Sequence, residues 1–467
     1  MKDTVIINEK DNVGVALMQK GEIPAGHKFA LADIKEGEYV IKYGQVIGRA
    51  TADIKKGEWV HTHNLKSHLD EEPTYKYDFR PFEIAKGNAT FLGYKRKKGR
   101  AGIRNDIYII PTVGCVNNVC LRLQKCAQKL IGGSIDGIFA LTHQFGCSQL
   151  GEDNENIKKL LCSIALNPNA SFVLFVGLGC ENNGMDGIKE YLAKYKRDNI
   201  EYFNCQDVED EHAYGMTILE KFASIAKNYK REPVDFSELC IGLKCGGSDG
   251  YSGITANPLV GKITDKAVAL GAKAILTEVP EMFGAEQLLM NKCKTAEVYE
   301  RYKKMIENFK TYYTKQGFPV YENPSPGNKK GGITTLEEKS LGCVEKAGRS
   351  EITSVLDYGE IVEESGVSVL NAPGNDLIAS TALGASGCQI VLFTTGRGTP
   401  FSTFVPTMKI ATNTSLAKNK HKWIDFDAYT MDEDGLFELM LKTVNGEYTC
   451  KSEDVREIAF YKTGVTL

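Results

Sequence analysis

The 467-residue chain has no Cys-x-x-Cys pair, no long apolar run and no excess of charge of one sign. Its 57 Lys and Arg against 60 Asp and Glu leave a formal net charge of −3. A general nucleic-acid binder needs a basic surface, so that class is excluded. The apolar stretch Phe172 to Leu178 is far short of the roughly 20 residues of a membrane helix and reads as a buried strand. Met1-Lys2-Asp3-Thr4-Val5 lacks the basic and apolar segments of a secretory leader. The 13 cysteines are odd in number and scattered, as expected for free or metal-bound thiols in a reducing cytoplasm. The Gly-rich segment Lys244-Cys245-Gly246-Gly247-Ser248-Asp249-Gly250 has the spacing of neither nucleotide-binding fingerprint, so it is not read as a phosphate cradle.

What is present is ordinary globular composition, 42% hydrophobic and 25% charged. At about 150 residues per domain the length suggests three domains. Ala32-Asp33-Ile34-Lys35-Glu36-Gly37-Glu38-Tyr39-Val40 recurs with two changes from Ala52 to Val60, an offset of 52 − 32 = 20. Each copy sets a Lys-x-Gly turn before an alternating Val/Tyr/Trp run, which predicts a small all-β module over 1–70. A polar linker follows over 71–92. From Gly93 apolar strands such as Ile107 to Ile110 and Phe172 to Val176 alternate with helical stretches, which predicts mainly parallel α/β layers. The break Arg231-Glu232-Pro233 divides them into a central α/β domain, 93–232, and a C-terminal one, 233–467.

Cys115, Cys147 and Cys180 each follow a glycine just past a predicted parallel strand, at intervals of 147 − 115 = 32 and 180 − 147 = 33 residues. Ligands bind at that edge of an open α/β sheet. Three converging thiolates would hold iron, zinc or an iron–sulfur cluster, and His143 offers an imidazole nearby; buried thiols at tight turns are the alternative. His61 and His63 are two apart, so on a strand both would face one ion or substrate; a polar strand end is the alternative. Lys95-Arg96-Lys97-Lys98 with Arg100 and Arg104 is the densest basic patch, and no aromatic platform for nucleic acid accompanies it. Arg104-Asn105 before a strand and Arg397 just past one are candidate carboxylate clamps. Lys244, Asp249, Glu278 and Glu281 are candidate acid–base groups, or members of structural ion pairs.

Taken together, several segments resemble the altronate/galactarate dehydratase family. They include Ile23-Pro24-Ala25-Gly26-His27-Lys28, Val60-His61-Thr62-His63-Asn64-Leu65, Gly102-Ile103-Arg104-Asn105 and His143-x-x-x-Cys147. Gly177-Leu178-Gly179-Cys180-Glu181, Cys245-Gly246-Gly247-Ser248-Asp249, Leu336 to Ser340 and Asn371-Ala372-Pro373-Gly374-Asn375-Asp376 complete the match, in family order along the chain. The resemblance implies an SAF-type (β-clip) module before two α/β domains. It also implies a cytoplasmic hydro-lyase that removes water from an aldonate or aldarate, giving a 2-keto-3-deoxy acid. Divalent iron, mononuclear or clustered, is the implied cofactor, with manganese as the alternative. The expected partners are a small sugar acid and other copies of the chain, with neither nucleic acid nor membrane. On this reading Cys115, His143, Cys147 and Cys180 hold metal. Arg104, Asn105, Ser248, Asp249 and Arg397 bind substrate, while His61, His63, Lys244 and Glu278 share proton transfer. A sulfo-lyase acting on a sulfonated hydroxy acid and a non-catalytic sugar-acid binder are the alternatives; sulfite release and turnover separate them. Cys147→Ser is expected to lower both iron content per chain and turnover while leaving the circular dichroism spectrum intact; unchanged iron would remove this thiol from the metal site.

Overall fold

The computed structural model describes residues 3–69 and 74–467, so the expected module–linker boundary at 70/71 lies outside the described residues. The N-terminal module is two small antiparallel sheets. One pairs Thr4–Val5, Val13–Ala16, Lys28–Ala30 and Trp59–Val60 in that order; the other pairs Tyr39–Lys42, Gln45–Ala50 and Leu65–Lys66. The internal repeat pairs with itself. Ile34 and Ile54 exchange two backbone hydrogen bonds of 2.8 Å. Around them Lys35 meets Asp53 at 2.8 Å and Lys55 meets Asp33 at 3.1 Å, a reciprocal arrangement. Those exposed ion pairs contribute little. Burial of both isoleucines is the stabilising part.

In the middle domain a four-stranded parallel sheet runs Gly137–Ala140, Asp106–Pro111, Ala170–Gly177, Ile200–Asn204. Helices Asn117–Ala127 and Glu211–Ala226 cover one face, where Leu123 and Phe222 pack with Ile107 and Ile109. Gly151–Ala165 and Met185–Ala193 cover the other, in a core that continues into the C-terminal domain through Phe393 and Phe404. Both faces of every central strand are therefore buried, which is why they read as unbroken apolar runs. Thr90–Gly93 and Glu232–Asp235 pair antiparallel, so the segments leading into and out of this domain are zipped together.

The C-terminal domain holds a seven-stranded, all-parallel sheet. Its order is Ile352–Leu356, Gly366–Leu370, Lys273–Leu276, Cys240–Cys245, Ile390–Thr395, Thr407–Ala411, Phe426–Asp427. Register is uniform at the centre, where Leu243 lies between Leu276 and Leu392. The helix Ala296–Lys315 begins where it does because Thr295 caps it by accepting from the Val298 amide. The described part of the expected linker, from residue 74 on, is laid along this domain: the Tyr75 hydroxyl donates to Glu286 at 3.1 Å and the Arg80 amide to the Asn291 carbonyl at 2.8 Å.

The module also shares an apolar core with the C-terminal domain, Val40, Ile47 and Leu65 packing with Leu336 and Leu341. At its centre is one carboxylate. Glu338 receives Lys28 Nζ on one oxygen and Lys42 Nζ on the other, each at 2.8 Å, with all three side chains no more than 1% exposed. The Thr334 amide and hydroxyl also donate to it, at 2.9 and 2.7 Å. Burial alone would raise its pKa, but the two lysines outweigh burial and hold it far below the carboxylate range. Burial draws Lys28 down to about 8 against the pull of Glu338. Backbones meet nearby: a Cβ on Gly250 would lie 1.9 Å from the Gly26 carbonyl oxygen.

Glu338→Gln strands two buried lysines and is expected to cost about 3–5 kcal/mol, read as a shifted urea midpoint. A midpoint within error of the parent would show that the ion pairs do not hold the module. Because the folded pKa of Glu338 is depressed, its contribution is fully present above the unfolded value of about 4.3 and is lost as pH falls below it.

Candidate active site

The strand order of the C-terminal sheet reverses once. From Cys240–Cys245 the chain proceeds to one side through Lys273–Leu276, then returns to lay Ile390–Thr395 on the other. In open parallel sheets the crevice beyond such a reversal receives ligands. Here it lies between the 246–255 and 396–402 loops, and Arg397 projects from the second of them. Arg397 is exposed and pairs with no carboxylate among the described residues; its stem passes Gly247 and Gly327.

Beneath the crevice Lys244 links two carboxylates. Its Nζ is 2.6 Å from Glu278 and 2.8 Å from Asp376, and it also donates to the Cys245 carbonyl. Lys244 and Glu278 are buried, whereas the Asp376 side chain is 43% exposed and forms the solvent face of the trio. Asp376 opens the helix Asp376–Ala385, whose N-terminal field favours an anion there. Its carboxylate borders Gly246, the residue before the Gly247 that borders Arg397. Glu278 adopts a left-handed backbone, φ 71°, a strained conformation for a residue with a side chain. Burial and neighbouring Glu281 push its carboxyl up against the pull of Lys244. For Lys244 burial is outweighed by Glu278 and Asp376, so it stays cationic.

Next to this trio Cys245, Glu281 and Cys343 form the only set of three ligand-type atoms within 4.8 Å of one another among the described residues. The two sulfurs are 3.3 Å apart, and Glu281 Oε2 is 3.2 and 3.1 Å from them. A hydrogen bond from Cys343, with help from Lys346 and Lys244, lowers Cys245 to about 6, while Cys343 is pushed up. Burial would raise Glu281, but Lys339, Lys244 and Lys346 hold it at about 2. Lys346 Nζ lies 3.1 Å from Cys245 Sγ and Lys339 Nζ 2.7 Å from Glu281. These lysines already supply the positive charge that a metal ion would supply, so the set is a self-neutralised ionic cluster.

The module brings two imidazoles to the same end of this domain. His27 and His61 rings are 5.0 Å apart, and His27 Nε2 contacts the Lys330 carbonyl at 3.3 Å. Burial, Lys28 and His27 lower His61 to about 4, so it is neutral at physiological pH. His61-Thr62-His63-Asn64 is a turn closed by the Asn64 amide on the His61 carbonyl, and not the expected strand. His61 therefore stacks on Trp59 while His63 meets the same indole edge-on, and the partner of His61 is His27.

Other expected site residues have different work. Arg104 is buried in an ion pair with Glu453 and donates to the carbonyls of Ile103, Thr443 and Tyr448, which uses all its donor nitrogens. Asn105 is likewise consumed, by the Ser134 and Ala226 carbonyls and by Arg96. Neither is free to hold substrate: Arg104 fastens the middle domain to the C-terminal one, and Asn105 braces the middle domain internally. Asp249 accepts from Thr412, Asn413, Ser252 and the Tyr251 amide, and the Ser248 carbonyl accepts from Asn328. Both shape the crevice loops. His143 spends one ring nitrogen on the Pro111 carbonyl at 2.7 Å and the other on the Phe145 amide at 3.2 Å, so it is not a metal ligand. Cys115, Cys147 and Cys180 are free and exposed, on adjacent loops past three parallel strands. Gly114 bonds to Phe145, and Asn183 to Gly146, which couples those loops through the backbone.

Sequence reasoning missed His27, Asp376, Cys343, Lys339 and Lys346 as site residues. Cys343 and Lys346 carried no local signal, being brought to Cys245 from 98 and 101 residues away. Among the described residues no helix is long and apolar enough to cross a membrane.

Known proteins match along the whole chain. Residues 2–68 match the altronate/galactarate dehydratase SAF domain, 93–227 the D-galactarate dehydratase/altronate hydrolase second domain, and 236–466 the D-galactarate/altronate dehydratase C-terminal domain. An altronate dehydratase of Bacillus subtilis (strain 168) is 47% identical, covering 100% of both chains. One of Escherichia coli (strain K12) is 46% identical over 98% of this chain and 94% of its own. The galactarate dehydratase (L-threo-forming) of Escherichia coli (strain K12) is 31% identical, over 91% and 88%. With three family domains in order and full-length relatives at this identity, the chain belongs to the altronate/galactarate dehydratase family.

Proposed function

We propose that this hydro-lyase acts on an aldonate, altronate first among candidates, and releases a 2-keto-3-deoxy acid. The observation that carries the reading is that Arg397, without a carboxylate partner among the described residues, and the half-exposed Asp376 border the consecutive glycines Gly247 and Gly246 at the crevice. Arg397 takes the substrate carboxylate in its planar fork. Asp376, oriented by Lys244, removes the proton at C2, and the electron pair moves into the carboxylate. The Arg397 guanidinium that holds this carboxylate stabilises the added negative charge. As the C3–O bond breaks, the proton now on Asp376 passes to the departing hydroxyl, which leaves as water. The enol then tautomerises to the 2-keto acid. Glu278, whose carboxyl is pushed up, leaves the Lys244 charge to Asp376 and holds the ammonium in place at 2.6 Å. Lys244 and Glu278 thus act through Asp376 as positioning residues.

For iron, with manganese as the alternative, we propose Cys115, Cys147 and Cys180 as the holders, without His143. The three thiols are free and exposed on adjacent loops past parallel strands, open to an iron ion or an iron–sulfur cluster. When bound, such a group supplies Lewis acidity toward a substrate oxygen.

Asp376→Asn is expected to lower kcat on altronate by at least about 100-fold with little change in KM. Arg397→Gln is expected to raise KM instead. Formation of 2-keto-3-deoxy acid under anaerobic conditions with added Fe²⁺ is the readout. Full activity in Asp376→Asn would move the proton transfer elsewhere, and sulfite release from sulfolactate without dehydration of altronate would replace the hydro-lyase reading.

A further inference from the structure

The basic patch at the start of the middle domain takes no part in the crevice. Its Arg100 instead faces a cavity of about 370 Å³ between the middle and C-terminal domains. Lys98, Arg197 and Lys273 line the same cavity, against the one exposed carboxylate of Glu363. Lys273 opens its strand and Gly387 lies just before the strand Ile390–Thr395. The cavity is therefore at the N-terminal edge of the large sheet, the end opposite to the crevice.

We propose that this cavity is a second binding site, for a compact oxyanion carrying two or more negative charges. None of the four cations forms an ion pair within 4.0 Å among the described residues; each donates to backbone carbonyls instead. Arg100 Nη2 donates to the Gly387 carbonyl at 2.7 Å, while its Nη1 is buried with no oxygen acceptor among the described residues and the guanidinium lies beside the buried Cys240 thiol, which Cys388 and Arg100 together draw down. An orphaned buried donor of this kind is expensive unless a ligand or water completes it. Gly387, at φ +99°, makes the approach feasible, since a Cβ there would lie 2.2 Å from Arg100 Nη2.

Two of the contacts have a local explanation. Helices Gly151–Ala165 and Asp376–Ala385 end at this cavity, and cations at helix C-termini are favourable. That accounts for Arg197 on the Leu166 carbonyl and for one nitrogen of Arg100. It leaves Arg100 Nη1 unexplained, and it does not account for a third and a fourth cation in the same space. Burial already draws Lys273 and Arg197 below their ordinary values, with Arg100 adding to the effect on Lys273. A divalent oxyanion would relieve both the desolvation and the repulsion. Phosphate groups and dicarboxylates share the required charge and acceptor geometry. Since both domains supply the lining, occupancy favours the assembled fold over the separated domains.

The test titrates the full chain with inorganic phosphate and, separately, with malonate, at fixed ionic strength in a buffer without other multivalent anions. Calorimetry and thermal unfolding are read together. Saturable binding with one site per chain and a raised Tm is expected, weakened at least tenfold in Lys98→Glu and in Arg100→Gln and unchanged in Arg397→Gln. Lys98 is exposed and makes only a backbone contact, so its variant keeps the fold. Preference for phosphate assigns a phosphate-bearing ligand; preference for malonate assigns a dicarboxylate. Lack of saturable binding by either anion overturns the proposal. Binding that survives Lys98→Glu but disappears in Arg397→Gln also overturns it, because the anion then occupies the crevice.

Discussion

A single buried carboxylate, Glu338, governs how the β module meets the C-terminal domain. It draws Lys28 and Lys42 from the β module into the C-terminal domain, far from water. Two ammonium groups in such a place are tolerable only with an anion between them and further donors to complete its lone pairs. The same docking seats Gly26 against Gly250 and carries His27 and His61 to the crevice end of the large sheet. The module is in this sense a wall of the site and not an appendage.

The crevice itself is organised by unequal carboxylates. Glu281 is surrounded by lysines and stays ionised; Glu278, equally buried and three residues earlier, is pushed up by burial and by Glu281. Environments that drive two neighbouring carboxyls apart are how a fold separates an acid from a base at one pH. The remaining member, Asp376, reaches solvent, and Lys244 ties it to the buried pair. Ionic contact thus runs from a dry interior to the surface through three side chains from three different strand ends.

Much of the architecture was legible because strands buried on both faces read as plain apolar runs. The β module was legible from its own repeat, though not the reason for it, which is that the copies bond to each other. Roles of individual residues were harder. Arg104 reads as a carboxylate clamp and does bind a carboxylate, but that of Glu453, 349 residues away in the same chain. His143 beside Cys147 reads as a ligand, yet the turn it occupies consumes both ring nitrogens. The His61 and His63 pairing assumed a strand, and a turn stands there instead.

By itself the sequence determined the class of fold, the family and the strand ends from which chemistry would come, since periodicity, turn residues and motif order are local properties. Only the tertiary structure decided which polar groups are spent and which remain available. Donors and acceptors are satisfied by partners hundreds of residues distant, so availability is a property of the folded whole. Arg397 and Arg104 are indistinguishable as residues; among the described residues one has an empty fork and the other a full one.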